Sequence, residues 1–473
     1  MTVTSVSEAW AAWSSDAITA PLPPDVGHAT LRLVEDTIGV LVAGMQEDAT
    51  RSVQIFANLE ARGHAELPES SAALILGTAG HAIDFDSTHF PSMVHASGVI
   101  VPAAIACAAL GTESATVLNA IAIGHELAVR IGMAGVVTDA TGTTTTELFE
   151  RGFHPTPIPS VIGAAATAGL LLGLDSGQLA GAMGIACSLA SGVLEANRAG
   201  GTVKAAHSGW AAASGVRAAL LARSGLTSPP TAIEGRFGLL RAFMGVDVDP
   251  ESLVGDVGDR WELLNIGLKA YPTNGFTHPT IDAAKLLRAD GLGLDDIATV
   301  ELGVATPSLR TIAQPAELKR RPPTIYAARF SGPFVFARAL LGGSALGIGV
   351  GDITEESLGD TEILGLIDKI SVIGDQQADR LYPKAISCRA TITTHAGQVH
   401  DVFIPAALGT TGQPMIDEQV RTKFNDCIST LPDERTREEI SSAIRSLGEG
   451  SLSTELLAVT KGLAAGAPAA ATS

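Results

Sequence analysis

The stretch Ile158-Pro-Ser-Val-Ile-Gly-Ala-Ala-Ala-Thr-Ala-Gly-Leu-Leu-Leu-Gly-Leu174 has no charged residue and consists mainly of small and aliphatic side chains. The next residues, Asp175-Ser-Gly-Gln178, place an Asp at a helix N-cap and a Gln three residues later, which is the spacing of a capping box. A second charge-free run, 177–194, follows. The first run is shorter than about 20 residues, contains Pro159 and lacks a Lys or Arg at its C-terminal end. We therefore interpret both runs as buried helices of a large helical domain.

Similar Ala-rich runs, separated by Gly, Pro, Ser and Asp, fill the chain up to about residue 265. They predict helices over 28–45, 70–82, 98–110, 115–135, 158–173, 177–192 and 205–224. Small residues at close spacing allow neighbouring helices to approach tightly. This explains how a chain with only 4% aromatic residues can fill a core.

Beyond residue 265 the pattern changes to β-rich segments with partial alternation. These predict strands over 298–304, 369–373, 388–393 and 399–404, with helices over 279–289 and 333–341. A helical pattern returns over 416–464, and the end, 466–473, predicts a disordered tail. A chain of 473 residues should hold more than one domain. We predict a mainly α fold with an α+β part: a large all-helical domain (1–265 and 416–473) and a smaller α+β domain (266–415) inserted before the C-terminal helices.

The charge balance limits the class of ligand. The chain has 31 Lys and Arg against 50 Asp and Glu, a net charge of −19, which argues against binding the phosphate backbone of nucleic acid over a broad face. A small polyanion can still bind where a few cations are concentrated. The four cysteines are far apart, and the N-terminus lacks the basic and apolar regions of a secretory signal. We expect a cytoplasmic protein that binds neither nucleic acid nor membrane.

The segment His81-Ala-Ile-Asp-Phe-Asp-Ser-Thr-His89, followed by His95, concentrates imidazoles and carboxylates in an otherwise apolar region. Such groups are costly to bury unless they pair with one another or with a ligand, so the segment is either a site or a polar network. If a helix continues to Pro91, Asp84 and Thr88 share one face with His81. The remaining residues of the segment, Asp86 and His89, then point away, and His95 lies on the following loop.

A metal site is an alternative reading of this segment. Its ligands would be Asp84, Asp86, His89 and His95. Helical directions make these side chains diverge, whereas a metal needs converging ligands. We therefore predict no metal and treat His81, Asp86 and His89 as network or surface residues.

Three loops place a cation or an imidazole before an apolar helix. His154 precedes the 158–173 helix, Lys204 and His207 open the 205–224 helix, and Lys269 and Tyr271 lie at the change of domain. Helix N-termini favour anions, so these loops together could form the positive pocket that the overall charge lacks. The chain has no Gly-x-Gly-x-x-Gly after a strand, no Walker A loop, no Gly-x-Ser-x-Gly and no His-Glu-x-x-His.

Five motifs, in order and spacing, resemble those of the MmgE/PrpD family. They are His81-Ala-Ile-Asp-Phe-Asp-Ser-Thr-His, Gly152-Phe-His-Pro-Thr, Lys204-Ala-Ala-His-Ser-Gly-Trp-Ala-Ala, Ala270-Tyr-Pro and Ala328-Arg-Phe-Ser-Gly-Pro-Phe. The family includes 2-methylcitrate dehydratase, cis-aconitate decarboxylase and iminodisuccinate epimerase. The resemblance implies a helical domain with a smaller α+β domain, a homodimer, and chemistry on small di- or tricarboxylates without a cofactor.

The resemblance also implies roles for single residues. The residues that match the family's decarboxylase site are Asp84, Thr88, His95, His154, Lys204 and Lys269. Two positions depart from the family pattern: the aromatic hydroxyl after the Phe-Ser-x-Pro motif is Phe334 here, and the position five after Lys269, often His or Cys, is Asn274. The Lys-Ala-Ala-His motif also differs from the Lys-Ser-Trp of bacterial 2-methylcitrate dehydratases. Loss of the phenol removes a proton donor, so the resemblance does not fix the reaction.

These residues fit proton transfer α to a carboxylate, because the extra negative charge must be neutralised and a His can move the proton. We predict His95, His154, Lys204 and Asp84 as catalytic residues. We predict Thr88, Lys269, His207 and Tyr271 as substrate-binding residues. The predicted function is a lyase that dehydrates a citrate-type hydroxy acid without metal or cofactor. The alternatives are an epimerase, a decarboxylase, or a carboxylate-binding protein without catalysis.

Overall fold

The structure is a computed structural model that describes residues 5–61, 67–109, 111–138, 144–196, 200–448 and 460–464. The tail predicted over 466–473 lies outside these residues. The chain divides into two compact units. The first comprises Met1–Ala82, Asp86–Ile266 and Leu431–Ser473, and the second comprises Ile83–Phe85 and Gly267–Thr430.

The first unit is a helical domain. Its helices are α1 (Val6–Ala17), α2 (Pro24–Gly44), α3 (Asp48–Glu60), α4 (Glu69–Ala82), α5 (Ser97–Cys107), α6 (Ser114–Ala134), α7 (Glu147–Glu150), α8 (Pro157–Leu171), α9 (Ser176–Leu189), α10 (Val203–Arg223) and α11 (Glu251–Val254). Between them lie β1 (Thr88–His89), an antiparallel pair formed by β2 (Val136–Thr138) and β3 (Thr144–Thr146), a π-helical turn (Leu240–Met244) and a 3₁₀ turn (Glu262–Asn265). All seven predicted helices are present, with ends that differ by a few residues. Helices α1 and α3 and the one-turn helices α7 and α11 were not predicted.

The predicted capping box starts α9. The backbone N–H of Gln178 donates to Asp175 Oδ1 over 2.8 Å, and the Asp175 N–H donates to the Gln178 side chain over 3.2 Å. Two of the orphan donors at the helix start are thereby satisfied. Helix α8, the first of the two charge-free runs, is buried along most of its length.

Glycines allow the helices of this unit to touch through their backbones. A Cβ built on Gly77 in α4 would lie 2.8 Å from the Cα of Gly209 in α10, and one on Gly209 would lie 2.1 Å from the carbonyl oxygen of Leu74. In the same way, a Cβ on Gly163 in α8 would lie 2.3 Å from the carbonyl oxygen of Gly124 in α6. The core is therefore filled by closely spaced helices rather than by large aromatic side chains.

Among the described residues, α6 is the one helix that is long and apolar enough to cross a membrane. Its most apolar window is 83% buried inside the structure, as expected for a core helix.

The second unit contains a four-stranded sheet in the order β6-β5-β7-β8, with β5 parallel to β6 and antiparallel to β7. The strands are β5 (Ile297–Val304), β6 (Ile370–Gly374), β7 (Cys388–Thr394) and β8 (Val399–Ile404); a short β4 (Ile266–Gly267) lies at the boundary between the units. The helices are α12 (His278–Ala289), α13 (Leu309–Ile312), α14 (Ala316–Arg320), α15 (Ile325–Arg329), α16 (Gly332–Leu341), α17 (Glu355–Leu358), α18 (Thr361–Ile367), α19 (Gln376–Leu381) and α20 (Asp417–Ile428). Three 3₁₀ turns complete the unit: Gly275–Thr277, Leu294–Asp296 and Thr306–Ser308.

Helix α12 packs on β7, β8 and α16. Alternate residues of β7 are buried, as the partial alternation in the sequence predicted. The four predicted strands are present, and the fold class, mainly α with an α+β part, is confirmed.

The division of the chain differs from our predicted domain boundary at residue 416. Helix α20 groups with the second unit, and the chain returns to the first unit only before α21 (Glu434–Gly448). Two contacts explain this. The Lys423 ammonium donates to the carbonyl oxygen of Phe85 over 2.8 Å, and the Val350 N–H donates to Asp426 Oδ2 over 2.9 Å. A helical sequence pattern cannot distinguish which unit a helix packs against.

We expect Gly209→Ala to destabilise the protein, because the new methyl group would meet the backbone of α4. Overpacking of this kind costs about 1–3 kcal/mol or more. The matched control is Gly181→Ala in α9, where a Cβ would meet nothing within 4 Å. That substitution should be neutral or stabilise by roughly 0.5–1 kcal/mol, because Ala is the better helix former. Chemical denaturation measures both, and equal effects would contradict the packing argument.

Candidate active site

The polar segment leaves the helix earlier than predicted. Helix α4 ends at Ala82, and Asp84 adopts a left-handed backbone conformation with φ of 56°. Asp is one of the few residue types that tolerate this conformation. The expectation of a helix as far as Pro91 is therefore wrong, and so is the division into faces that placed Asp84 with His81 and turned Asp86 away.

His81 and Asp86 form a buried pair. His81 Nδ1 and Asp86 Oδ2 lie 2.8 Å apart, and both side chains are inaccessible to solvent. Because an ionised carboxylate only accepts hydrogen bonds, His81 donates through Nδ1–H. Its other nitrogen, Nε2, is buried and has no hydrogen-bond partner among the described residues. Leaving such an atom unsatisfied costs about 1–3 kcal/mol of stability. Unsatisfied buried polar atoms are typical of functional sites.

His95 shares this carboxylate. Its Nδ1 lies 3.5 Å from Asp86 Oδ2 and 3.1 Å from Thr88 Oγ1, and its backbone N–H donates to Thr156 Oγ1 over 3.1 Å. The His95 side chain keeps 13% of its surface exposed. The structure thus brings together Thr88 and His95, two of the predicted site residues, with two residues that we had treated as network or surface residues.

A row of imidazoles continues from this pair. The ring of His81 lies 5.2 Å from the ring of His95 and 5.3 Å from that of His154. His154 Nδ1 in turn lies 3.3 Å from His207 Nδ1, and one of these two nitrogens donates to the other. Four histidines from α4, two loops and α10 therefore converge in the first unit, and we refer to them as the histidine cluster.

Two members of the histidine cluster are held in the neutral form. Burial lowers the pKa of His154 well below its ordinary value, and the nearby His81, Lys204 and His207 lower it further. The pKa of His207 falls to about 4, first through burial and then through His81 and Lys204. Protonated histidines were part of the positive pocket predicted from the sequence. His154 and His207 cannot supply that charge at neutral pH in the unliganded protein. Lys204 is the cation that lies near both of them.

Asp84 and Lys269 pair in the second unit. Lys269 Nζ lies 3.1 Å from Asp84 Oδ2 and donates to the Asp84 carbonyl oxygen over 2.8 Å, and both residues are buried. The buried imidazole of His278 is also in this unit. Its pKa falls to about 3, because it is buried and because Lys269 and Lys423 repel its protonated form more than Asp84 favours it. The left-handed turn at Asp84 thus directs this carboxylate to a lysine.

Tyr271 is also engaged within the second unit. Its hydroxyl donates to Asp282 Oδ1 over 2.5 Å and accepts from Lys285 Nζ over 3.2 Å. Burial and the Asp282 carboxylate raise the pKa of Tyr271 well above its ordinary value, so the phenol stays protonated. Its ring lies edge-on to His278 at 5.1 Å. The structure therefore shows Tyr271 as part of a hydrogen-bonded network, and its predicted role in substrate binding stays a prediction.

The two positions that depart from the family pattern have local roles. The Asn274 side chain accepts from the backbone N–H of Phe276 over 3.1 Å and caps the 3₁₀ turn. Phe334 is fully buried in α16. Neither side chain supplies a group that transfers a proton.

The residues able to hold a metal differ from those weighed in the sequence. His81, Asp86 and His95 offer ligand atoms that all lie within 4.8 Å of one another. His89 is not part of this group, because its ring nitrogens contact Ser92 Oγ at 2.7 Å and Glu262 Oε1 at 3.2 Å.

Comparison with protein families settles the family. The MmgE/PrpD N-terminal domain matches residues 8–251, and the MmgE/PrpD C-terminal domain matches residues 271–449. The chain belongs to the MmgE/PrpD family. The resemblance inferred from the five motifs is thereby confirmed, and the chain is an enzyme of the lyase or isomerase type found in this family.

Curated relatives cover nearly the whole chain. A cis-aconitate decarboxylase of Homo sapiens is 27% identical over 89% of this chain and 89% of its own length. A cis-aconitate decarboxylase of Aspergillus terreus is 24% identical over 92% of this chain and 91% of its own. A cis-aconitate decarboxylase-like protein of Aspergillus oryzae is 24% identical over 95% and 96%, respectively.

We expect Lys204→Ala to raise the pKa of both His154 and His207, because it removes a positive charge that disfavours their protonated forms. It should also lower kcat/KM by on the order of 10²-fold if the ammonium stabilises charge on the substrate. Titration of ¹⁵N-labelled histidines by NMR measures the first effect and steady-state kinetics the second. Lys204→Arg keeps the charge and should leave both pKa values low. Unchanged values in the Ala variant would place Lys204 outside the cluster.

We expect Lys269→Met to destabilise the protein by about 3–5 kcal/mol, because it leaves the Asp84 carboxylate buried without its cation. Adding Asp84→Asn should recover part of that loss, since the uncompensated charge is removed. Denaturant unfolding of the two single variants and the double variant gives the coupling. Lys384→Met, at an exposed position, is the control and should change stability by less than about 0.5 kcal/mol. Additive effects in the double variant would show that the pair is not coupled.

Proposed function

We propose that the protein is a lyase that acts on a small tricarboxylate by moving a proton at carbon next to a carboxylate, without metal or organic cofactor. The observation that carries this proposal is the histidine cluster, in which a carboxylate-paired imidazole, His81, lies beside a neutral imidazole, His154. When two neighbouring titratable groups have different surroundings, one is suited to act as an acid and the other as a base. The names of the relatives support the tricarboxylate class of substrate.

In this proposal His154 is the base, because its lone pair is available at neutral pH. Removal of a proton from carbon leaves an electron pair that spreads onto the adjacent carboxylate, which is already anionic. Lys204 lies close enough to His154 to lower the pKa of this imidazole, so the lysine charge also acts on a substrate bound beside His154. In a pocket with little water, that charge stabilises the developing anion more strongly than it would in solvent. Thr88 and His95 are then the groups that hold a substrate carboxylate or carry a second proton.

Two reactions fit this arrangement. The sequence predicts dehydration of a citrate-type hydroxy acid, in which loss of the proton on carbon and loss of water form a double bond. Phe334 and Asn274 favour dehydration over the decarboxylation that the names of the relatives give, since the family's phenol is absent at the first position and its His or Cys is absent at the second. Decarboxylation of cis-aconitate is the second candidate, and the names of the relatives favour it.

The experiment is incubation of the purified protein with citrate, 2-methylcitrate, cis-aconitate and iminodisuccinate in deuterated water, followed by NMR. Dehydration forms a new alkene from a hydroxy acid, decarboxylation releases CO₂ from cis-aconitate with one deuterium incorporated, and epimerisation exchanges hydrogen with inversion. We expect one of the first two outcomes. Saturable binding with no exchange and no product would instead support a carboxylate-binding protein without catalysis.

We expect this activity to survive exhaustive chelation, because the histidine cluster supplies an acid–base pair and the neighbouring Lys204 supplies a cation for the substrate. Elemental analysis of the untreated protein is the control. A stoichiometric metal whose removal abolishes turnover would contradict cofactor independence and would direct attention to His81, Asp86 and His95.

The role of His154 predicts a pH dependence. A base must be unprotonated, so kcat/KM should rise with pH through the pKa of His154 and stay high above it. Burial places that pKa below 6.5, so the acidic limb should lie below pH 6.5 rather than near neutrality. His154→Gln should lower kcat/KM by about 10²–10⁴-fold and remove this limb. His400→Gln, on β8, is the matched control. A limb above pH 7, or an active His154→Gln variant, would exclude His154 as the base.

We also propose a homodimer, as the resemblance implies. An apolar groove of the first unit is lined by exposed large side chains, among them Phe56, Val193, Val203 and Trp210, with exposed fractions of 44%, 64%, 55% and 43%. Monomeric proteins seldom expose such a patch, so we expect a second copy of the chain to cover it. Light scattering should give twice the mass of one chain, and Val193→Asp should reduce the measured mass to that of a single chain.

The cytoplasmic location stays a prediction from the sequence.

A further inference from the structure

The pair that carries the proposed function contains one buried imidazole nitrogen without a hydrogen-bond partner among the described residues. His81 Nε2 is inaccessible to solvent and has no hydrogen-bond partner among the described residues, although its ring is held at the other nitrogen by Asp86. A structural histidine normally satisfies both nitrogens when it is buried. His89 does so through Ser92 and Glu262, and His125 does so through Ser97 and the Ile121 carbonyl.

The surroundings of His81 differ from those of its neighbours. Asp86 lies 2.8 Å from its Nδ1, so a carboxylate can stabilise the imidazolium form of this ring. His95 reaches the same carboxylate only at 3.5 Å, and its Nδ1 is engaged by Thr88. His154 contacts no carboxylate that the structure shows. It is paired instead with His207, and burial and Lys204 keep it neutral.

We propose that His81 is a catalytic residue that donates a proton from Nε2, and that Asp86 is its positioning residue. This inference rests on the proposed function and deepens it. In dehydration, the C–H bond breaks, its proton passes to His154, and its electron pair forms the double bond. The C–O bond breaks at the same time, and the hydroxyl leaves as water with the proton from His81. In decarboxylation, the electron pair left on carbon when CO₂ departs takes the proton from His81.

Five charged or titratable side chains near His81 in the described part of the chain belong to the first unit. Asp86 follows α4 in the chain, His95 and His154 lie on loops, and Lys204 and His207 come from α10. Asp86 is the one carboxylate named among these groups, and its contact with Nδ1 orients the His81 ring.

The test uses the full chain and the substrate identified by the NMR panel. His81→Gln should lower kcat by about 10²–10⁴-fold. Binding of propane-1,2,3-tricarboxylate, a tricarboxylate that cannot react, should change by less than about threefold, as calorimetry would show. His400→Gln is the matched control with normal kcat. His81→Gln with near wild-type kcat would overturn the proposal, and so would a parallel loss of kcat and of tricarboxylate binding.

Asp86→Asn provides a second measurement that a structural role would not affect. The carboxylate orients the His81 ring through the 2.8 Å contact with Nδ1, so its loss should lower kcat while binding of propane-1,2,3-tricarboxylate changes by less than about threefold. Asp86→Glu keeps the carboxylate and should restore kcat in part. A normal kcat in Asp86→Asn would overturn the proposal, even if His81→Gln does not fold.

Failure of the His81 assignment can be distinguished from failure of the proposed function. If the wild-type protein converts no polycarboxylate, the proposed function fails. NMR of ¹⁵N-labelled histidine then still reports whether His81 keeps its proton on Nδ1 and becomes doubly protonated when propane-1,2,3-tricarboxylate binds. If the wild type is active and His81→Gln is equally active, the assignment of His81 alone fails, and His95→Gln becomes the variant that identifies the donor.

Discussion

The contact between the backbones of α4 and α10 at Gly77 and Gly209 is the constraint on which the histidine cluster depends. His81 lies one turn after Gly77 on the same helical face, and Lys204 and His207 precede Gly209 at the start of α10. Because no side chain separates the helices here, the histidines and the lysine that they carry lie close together. Burial, and then the nearby His81 and Lys204, lower the pKa of both His154 and His207.

The cluster separates its imidazoles by their partners. One ring has a carboxylate at hydrogen-bond distance, whereas two others have only each other and a nearby cation. Burial alone would favour the neutral form of every ring. Asp86 breaks that equivalence, and it does so from a position two residues after Asp84, whose carboxylate pairs with Lys269 instead. Similar residue types in one short segment thus acquire different chemistry from their neighbours.

Much of the fold could be predicted from the sequence, because the helices and strands depend on local periodicity and on breaks at Gly, Pro and Asp. The missed helices α1 and α3 show the limit. Helix α1 begins with a capping box of Ser5 and Glu8, a signal that was present in the sequence. Helix α3 is largely exposed and therefore carries no buried apolar run. The assignment of α20 required contacts between distant parts of the chain, which periodicity does not contain.

The candidate site was only partly predictable. The residue density and the family motifs indicated Asp84, Thr88, His95, His154 and Lys204. His81 and Asp86 were set aside, because no Gly or Pro marks the helix end before Pro91 and nothing local reveals the left-handed conformation of Asp84. Density within the segment was the signal that could have identified them. The tripeptide Ile83–Phe85 belongs to the second unit, while its flanking residues belong to the first. A change of length in this segment should therefore disturb two pairs at once, since one inserted or deleted residue would displace both the Asp84 and the Asp86 carboxylate from their partners.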